Sequence, residues 1–279
     1  AIIQGGERWL QVDTTAESTV GVQNGSPTWA AIRTTPGSSF KENRQTYETE
    51  NQANVTSQPA PGLSHFLPGG NIGVIASPLD SGVNFGGSPT KSCFKWALDA
   101  ALSRTSGILD SFTFHEGQNS ILTRTFHGVK ANGFTLGFGQ GESQLRFAMD
   151  WLGLSTGRKS SAASAPDGTF PTGYDWLVRS ASVELGDQQA QSASFASVND
   201  SLLGLQIQAV NGLTPGKVAR WFPSSMQESV RYGPRELVEG QLEITGSFIV
   251  KSEDATWYDK FIGDTKGEIR LFAYHPDSS

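Results

Sequence analysis

The chain has 279 residues, a formal net charge of −6 and only 17 % charged residues. It is long enough for one large β domain or two small domains, with a sizeable core in either case. An acidic, charge-poor chain lacks the clustered Lys and Arg that neutralise nucleic-acid phosphates, and no apolar run approaches the roughly 20 residues of a membrane helix. The single cysteine, Cys93, excludes an internal disulfide and a cysteine-based zinc site.

The first part of the chain predicts short strands followed by a long polar segment. Strands are expected at 7–12 and 27–34, which flank a turn-rich stretch. Residues 38–72 contain three prolines and few apolar anchors, which predicts an irregular arm. This arm is either disordered or becomes ordered on a neighbouring subunit.

The clearest helix signal covers residues 89–104, after a short strand at 71–76. Ser88 is placed to cap the helix, and Pro89 suits the first helical position, where its missing N–H has no partner to lose. Apolar residues then recur at helical spacing and form one stripe. The stripe consists of Phe94, Ala97, Leu98, Ala101 and Leu102. Such a stripe must pack on another element, and a β-sheet is the abundant candidate.

Residues 110–152 predict several strands in quick succession, because apolar and polar residues alternate along them. Asn132-Gly133 is the strongest turn pair in the chain. Val129 and Ala131 occupy odd positions, whereas the apolar residues at 134, 136 and 138 occupy even ones. A turn or a bulge near Asn132 must therefore absorb the change of face.

A linker rich in Gly, Ser and Pro is expected at 155–175, between an N-terminal half at 1–154 and a C-terminal half at 176–279. A short amphipathic helix is expected at 253–262. The C-terminal half predicts strands at 177–185, 203–211, 227–238, 241–251 and 269–274. The order strand, helix, strand thus occurs in each half, which leaves open a duplicated fold or one enlarged fold.

No residue pattern predicts catalysis, a cofactor or a bound metal. The histidines lack the spacing of a helical zinc pair. The glycines at 137, 139 and 141 precede a strand pattern rather than the helix that holds a dinucleotide phosphate, so a turn is the better interpretation. We therefore expect a mainly β structural protein that is not an enzyme.

The alternative from another functional class is a monomeric β-sandwich binding module, specific for a carbohydrate or a receptor. Such a module would present aromatic side chains on an exposed face. The candidates, which fall outside the clearest core patterns, are Trp9, Trp29, Trp176 and Trp221.

Four segments, which together span most of the chain, carry a resemblance to a known family. Residues 16–21 (AESTVG) resemble its opening motif, and the polar arm ending at 68–70 precedes a strand and an amphipathic helix in the family's order. Residues 112–154 and the long strand at 241–250, with its TGSF step, are also similar. The chain resembles the tail tube (major tail) proteins of long-tailed, siphovirus-type bacteriophages.

This resemblance implies a β-sandwich or barrel tube fold, braced by one or two helices, whose copies form a ring around a continuous inner β-barrel. Hexameric rings, or rings of three subunits with two tube folds each, stack into a tube with other tail proteins at its ends. Double-stranded DNA passes through the tube during ejection. The implied location is the virion tail, assembled in the host cytoplasm, with no membrane binding by this chain.

A conduit for a polyanion should repel it, so excess carboxylates are expected in the lumen. Six copies of −6 give a ring charge of −36. Alternation along the predicted barrel strands selects Glu142, Asp150, Glu184 and Glu243 as lumen-facing candidates, and Arg146 shares a face with Asp150. The alternative interpretation puts these acids on the outer surface.

The 38–72 arm is expected to dock across the joint between rings. Its deletion should then leave a folded subunit that makes no long tubes.

Overall fold

The computed structural model describes most of the strands of the chain and one helix. The described residues are 8–32, 34, 38–47, 62–75, 93–118, 122–139, 145–159, 181–187, 196–197, 202–216, 234, 236–251 and 267–273. Within them, one helix accompanies many strands, so the prediction of a mainly β protein is confirmed. No helix in these ranges has the length and apolar character needed to span a bilayer.

The elements are numbered in chain order. The helix is α1 (Cys93–Leu102). The strands are β1 (Arg8–Asp13), β2 (Trp29–Ala31), β3 (Ser39–Tyr47), β4 (Gly62–Ile75), β5 (Arg104–Thr105), β6 (Ile108–Leu109), β7 (Phe112–Gln118), β8 (Leu122–Phe138), β9 (Arg146–Leu152), β10 (Ser155–Lys159), β11 (Ala181–Asp187), β12 (Ala196–Ser197), β13 (Leu202–Val210), β14 (Thr214–Pro215), β15 (Leu237–Val238), β16 (Glu243–Val250) and β17 (Gly267–Ala273).

Ten of these strands form one antiparallel sheet with two wings that share β8. The first wing has the order β2-β1-β7-β8-β10 and uses the N-terminal half of β8. The second wing has the order β3-β4-β9-β8-β13-β16 and uses the C-terminal half of β8. Strands from the predicted C-terminal half of the chain therefore complete a sheet begun by the N-terminal half.

Strand β8 passes from one wing to the other through two irregularities. Its pairing with β7 shifts register where Phe112 opposes Val129 and Phe114 opposes Phe126, and Gly128 there has φ +63°. Its pairing with β9 shifts between Ala131 and Gly133. The expected change of face near Asn132 is thus a bulge inside a continuous strand, and a chain-reversing turn at Asn132-Gly133 is wrong. We name the region of residues 128–133 the corner.

A buried carboxylate fixes the loop that crosses the corner. Glu17 Oε1 accepts hydrogen bonds from Gly128 N at 3.0 Å and Thr113 Oγ1 at 2.7 Å. Its Oε2 accepts from Gly21 N at 2.7 Å and Ser111 Oγ at 2.9 Å. The residue is only 8 % exposed, and burial of a carboxylate is tolerated when donors saturate it in this way.

The main core lies between the two wings and α1. Trp96 stacks on Trp151 with ring centroids 5.7 Å apart and meets Phe112 edge-on at 5.0 Å. The buried face of α1 consists of Cys93, Trp96, Ala97, Ala100 and Ala101. The buried face of α1 is therefore rotated about the helix axis relative to the predicted stripe, since Leu102 is exposed and Trp96 is buried. The alanines beside Trp96 are small and let the helix approach the sheet closely.

Two segments predicted as irregular contain strands. Within 38–72, β3 and β4 form a hairpin, and Phe40 and Ile72 at its base are 2 % and 1 % exposed in the core. Deletion of the whole segment would thus remove part of the core. The start of the predicted linker is strand β10, which pairs with β8. The predicted helix at 253–262 lies outside the described residues, and so do Ser88 and Pro89, the predicted start of the helix at 89–104.

The remaining predicted strands have clear counterparts. Strands β1, β7, β9, β13 and β16 lie within a residue or two of the segments selected by alternation. Strands β11 and β17 pair with each other, and β12 joins them in a separate three-stranded sheet. Of the predicted strand at 227–238, the described part contributes only β15, which pairs with β14.

Close backbone approach makes Gly137 a sensitive position in β8. A Cβ at this residue would overlap the carbonyl oxygen of Leu205 in β13. We expect Gly137→Ala to lower the free energy of unfolding by about 1–3 kcal/mol, because the strands must separate to admit the methyl group. Urea denaturation followed by tryptophan fluorescence measures this. Gly25→Ala is the matched control, since no atom lies within 4 Å of its Cβ position, and it should change stability by less than about 0.5 kcal/mol.

Replacement of Glu17 by Gln tests the corner network. One oxygen of the Glu17 carboxylate accepts from Gly128 N and the other accepts from Gly21 N. In Glu17→Gln the side-chain NH₂ replaces one of these oxygens, so in either orientation of the amide it faces a backbone N–H that needs an acceptor. We expect Glu17→Gln to cost about 1–3 kcal/mol of unfolding free energy in the same urea assay. Glu243→Gln, at an exposed position, is the control. Equal stability of the two variants would contradict a structural role for the buried carboxylate.

Candidate functional site

The second wing has two faces of opposite character, since successive residues of a strand point to opposite sides. One face is apolar and lies on the core; it includes Ile72, Phe134, Leu136, Phe147 and Met149, all buried. The other face carries mostly small or polar side chains, and its two large apolar side chains are the exposed Val210 and Ile249. We name it the polar face, and it comprises Asn71, Gly73, Gly133, Thr135, Gly137, Arg146, Ala148, Asp150, Gln206, Gln208, Val210, Glu243, Thr245, Ser247 and Ile249.

Two of the four predicted lumen acids fall in one row across the polar face. Asp150 pairs with Gly133, Gly133 pairs with Val210, and Val210 pairs with Glu243. Adjacent strands lie about 4.8 Å apart, so the three steps put the two carboxylates on the order of 14 Å from each other. Glu243 is exposed and Asp150 is half-buried.

The bulge residue orients the carboxylate of Asp150. Asn132 Nδ2 donates to Asp150 Oδ2 at 2.8 Å, and Asn132 Oδ1 accepts from Leu213 N at 2.9 Å. The amide of Asn132 therefore bridges the polar face and the segment that follows β13. Sequence reasoning selected Asn132 as a break in pairing but missed this contact, because its partners are 18 and 81 residues away.

The other two predicted acids do not join this row. Glu184 lies in β11, in the separate three-stranded sheet, where it pairs in register with Ser197 and Arg270. Glu142 lies outside the described residues. The structure thus brings Asp150 and Glu243 onto one face and leaves the orientation of the other two as a prediction.

The opposite end of the polar face is less acidic. Arg146 is exposed there and pairs in register with Gly137, four residues along β9 from Asp150. Beside Arg146 lies a shallow groove of about 370 Å³, whose walls include Gln206, Ser247 and Ile249. The shared face of Arg146 and Asp150, predicted from alternation, agrees with this register.

A buried polar cluster ties the polar face to α1. Asn211 is fully buried, and its Nδ2 donates to the carbonyl oxygens of Ala101 at 2.9 Å and Ala131 at 3.0 Å. Ala101 lies in the last turn of α1, whose carbonyls have no partner inside the helix. Asn211 Oδ1 accepts from Arg104 at 3.2 Å. One side chain therefore joins the helix end, the corner and the end of β13.

Glu239 extends this cluster with charge. Its carboxylate pairs with Lys130 Nζ at 2.6 Å and Arg104 at 3.5 Å, and both of its oxygens lie 3.0 Å from the donor Leu109 N. The side chain of Lys130 is 5 % exposed, so its charge needs this partner. Sequence reasoning selected neither Asn211 nor Glu239, since the pairs they make span about a hundred residues and leave no local pattern.

The aromatic residues of the alternative binding module do not form an exposed platform in the described part of the chain. Trp29 stacks on buried His115 with ring centroids 3.8 Å apart. Trp9 is half-buried, and its ring lies against Gly117. Trp176 and Trp221 lie outside the described residues.

Comparison with known proteins gives a match over almost the entire chain. Residues 14–278 match the model of a family described as phage tail tube protein. A search of curated proteins found no match. The matched range contains both wings from Thr14 onward, the helix, the corner and the polar face. The chain therefore belongs to the phage tail tube protein family and is a structural component of the virion tail that assembles with its own copies into a tube.

Proposed function

We propose that copies of this chain form rings, that the rings stack into the tail tube, and that double-stranded DNA passes through it during ejection. The observation that carries the proposal is the two-faced second wing. Its apolar face is packed on the core over β4, β9, β8 and β13 and braced by α1. Its polar face carries mostly small side chains and exposed Gln, Thr and Ser residues, with Val210 and Ile249 as its large apolar members. A passage for hydrated DNA needs such a smooth, hydrophilic wall.

The two edge strands of the second wing suggest how copies of the chain close into a ring. Strand β3 pairs with β4 and strand β16 pairs with β13, and no other described strand pairs along the outer edge of either. Unpaired edges expose backbone donors and acceptors that another chain satisfies. A contact between β16 of one copy and β3 of the next is heterologous, and rotation by a fixed angle closes it into a ring. We propose six copies per ring, or three with two tube folds each, assembled in the host cytoplasm.

Charge on the polar face supports a passage rather than a binding groove. DNA-binding proteins neutralise phosphates with clustered Lys and Arg, whereas a ring of six copies at −6 carries −36. We propose that Asp150 and Glu243 face the lumen, together with Glu142 and Glu184. Their carboxylates repel the phosphates and thereby lower friction on the moving duplex. No catalytic step belongs to this function.

Electron microscopy of the purified protein tests the function, and a charge reversal tests the lumen. We expect hollow tubes from the wild type and from Glu243→Lys. When tubes assemble with short fluorescent duplexes, those of Glu243→Lys should hold several-fold more nuclease-protected DNA at about 50 mM salt, and lose it towards 200 mM. Glu236→Lys, an exposed change outside the second wing, should protect no more DNA than the wild type.

Each outcome of this experiment bears on one statement. Discrete particles at high protein concentration would overturn the tube and favour the monomeric module. Tubes of Glu243→Lys without protected DNA would overturn the lumen position of Glu243 alone.

The distal part of the β3–β4 hairpin is proposed to bridge successive rings. Strand β4 pairs with β9 only over Gly69–Ile75, and Pro68 and Leu67 still contact the rest of the subunit. Residues 62–66 and their partners in β3 therefore form a two-stranded ribbon beyond the partner strand β9. A ribbon of this kind has no core of its own and suits a contact with a neighbour.

Shortening the ribbon tests this role. Gln45 and His65 are directly paired, so replacing residues 46–64 by Asn-Gly should close a two-residue hairpin turn and leave Phe40 and Ile72 in place. We expect a melting temperature within a few degrees of the wild type and rings that stack into few or no long tubes. Mean tube length in electron micrographs is the measurement, and tubes of normal length would refute the bridging role.

A further inference from the structure

Strand β16 is exposed along nearly its whole length, although every second residue, Ile244 and Phe248 among them, points to the apolar side of the sheet. Ile244 is 59 % exposed and Phe248 is 42 % exposed. In register, Ile244 pairs with Ala209 and Phe248 pairs with Leu205. Ala209 and Leu205 are 1 % and 3 % exposed. The apolar face of the second wing therefore continues onto β16, where these two side chains are much more exposed than their partners in β13.

The sequence of β16 contains none of the usual devices that protect an edge strand from association. Edge strands are commonly blunted by Lys, by Pro or by inward-pointing charges. The segment EITGSFIV has one charged residue, Glu243, at its first position, and no Pro, Lys or Arg. Its pairing with β13 is regular from Gly204 to Val210, and the one register shift, between Leu202 and Gly204, lies opposite the C-terminal end of β16. This composition is typical of a strand that another chain covers.

We propose that Ile244 and Phe248, the β16 apolar stripe, pack against a second copy of this chain. The proposal rests on the proposed ring, because it concerns the edge at which one copy joins the next. A second copy is the fitting occupant because the family assembles with itself, and because only a contact at this edge covers the stripe and pairs the backbone of β16 at once. In the proposed ring, the contact between neighbouring copies is thus apolar on the side of the sheet that faces away from the lumen.

The side chains on the opposite face of β16 are expected to make no contact with a neighbouring copy. Glu243, Thr245, Ser247 and, at the far end of the strand, Ile249 belong to the polar face and are exposed. In the proposed ring they line the lumen and contact no neighbour through their side chains. The two faces of β16 therefore give neighbouring positions, one residue apart, that point to opposite surfaces of the sheet.

Substitution on the two faces tests the proposal. We expect Ile244→Glu and Phe248→Glu to raise the protein concentration needed for tube formation at least about tenfold, because a charge cannot be buried in an apolar contact without a large loss of affinity. Thr245→Glu and Ser247→Glu should change it by less than about twofold. Ile244→Leu should assemble like the wild type. Sedimentation at graded concentrations, with micrographs of the pellet, gives the values.

The folding of each variant is checked separately. Ile244 is mostly exposed in the subunit, so Ile244→Glu should keep the melting temperature and circular dichroism of the unassembled wild type. Hydrogen exchange provides a measurement without mutation, since the amides of β16 should become protected when the wild type assembles.

The outcomes separate this inference from the function on which it rests. Assembly of Ile244→Glu at wild-type concentration would overturn the inference and leave the tube intact. Loss of assembly in both Ile244→Glu and Thr245→Glu would also overturn it, because the contact would then not distinguish the two faces. A wild type that forms no tubes would overturn the proposed function itself.

Discussion

The subunit depends on one constraint: β8 must pass from one wing to the other without leaving buried backbone N–H and C=O groups unpaired. A buried N–H or C=O without a partner costs about as much as a lost hydrogen bond, and a bulge in a strand creates such groups. Glu17 receives the N–H of Gly128, Asn211 donates to the carbonyl of Ala131, and Asn132 bonds on both sides of the bulge. Side chains from two distant segments thus satisfy the corner's backbone, and Asn132 inside the corner joins it to Asp150 and Leu213.

The same contacts connect the corner to the polar face and to the helix. Asn132 holds Asp150, while Asn211 links the end of α1 to the point where β13 leaves the sheet. Because interior polar networks of this kind are costly when broken, the angle between the wings is held firmly. A firm angle matters for a ring, since a small error in each subunit accumulates around the circle and prevents closure.

The sequence allowed most strands to be predicted, because alternation is a local signal. Strands β9 and β16 follow their apolar alternation closely, and the change of parity around Asn132 correctly required an irregularity. The β3–β4 hairpin was missed because its strands are polar and β4 contains Pro68, which local rules exclude from a sheet. That proline lies in a hairpin arm, and its carbonyl still accepts a bond from Gly153 N at 2.8 Å. The roles of Asn211 and Glu239 had no local signal, because chain segments about a hundred residues apart define them.

The single cysteine adds a last consequence. Cys93 is 3 % exposed at the first residue of α1, so its thiol lies inside the core. A phage particle leaves a reducing cell interior for an oxidising medium, where accessible thiols form disulfides. With its thiol enclosed, the subunit neither gains nor loses a covalent bond in this transfer. Contacts that copies of this chain make with one another therefore gain no disulfide through Cys93, whatever the redox potential on either side of the host envelope.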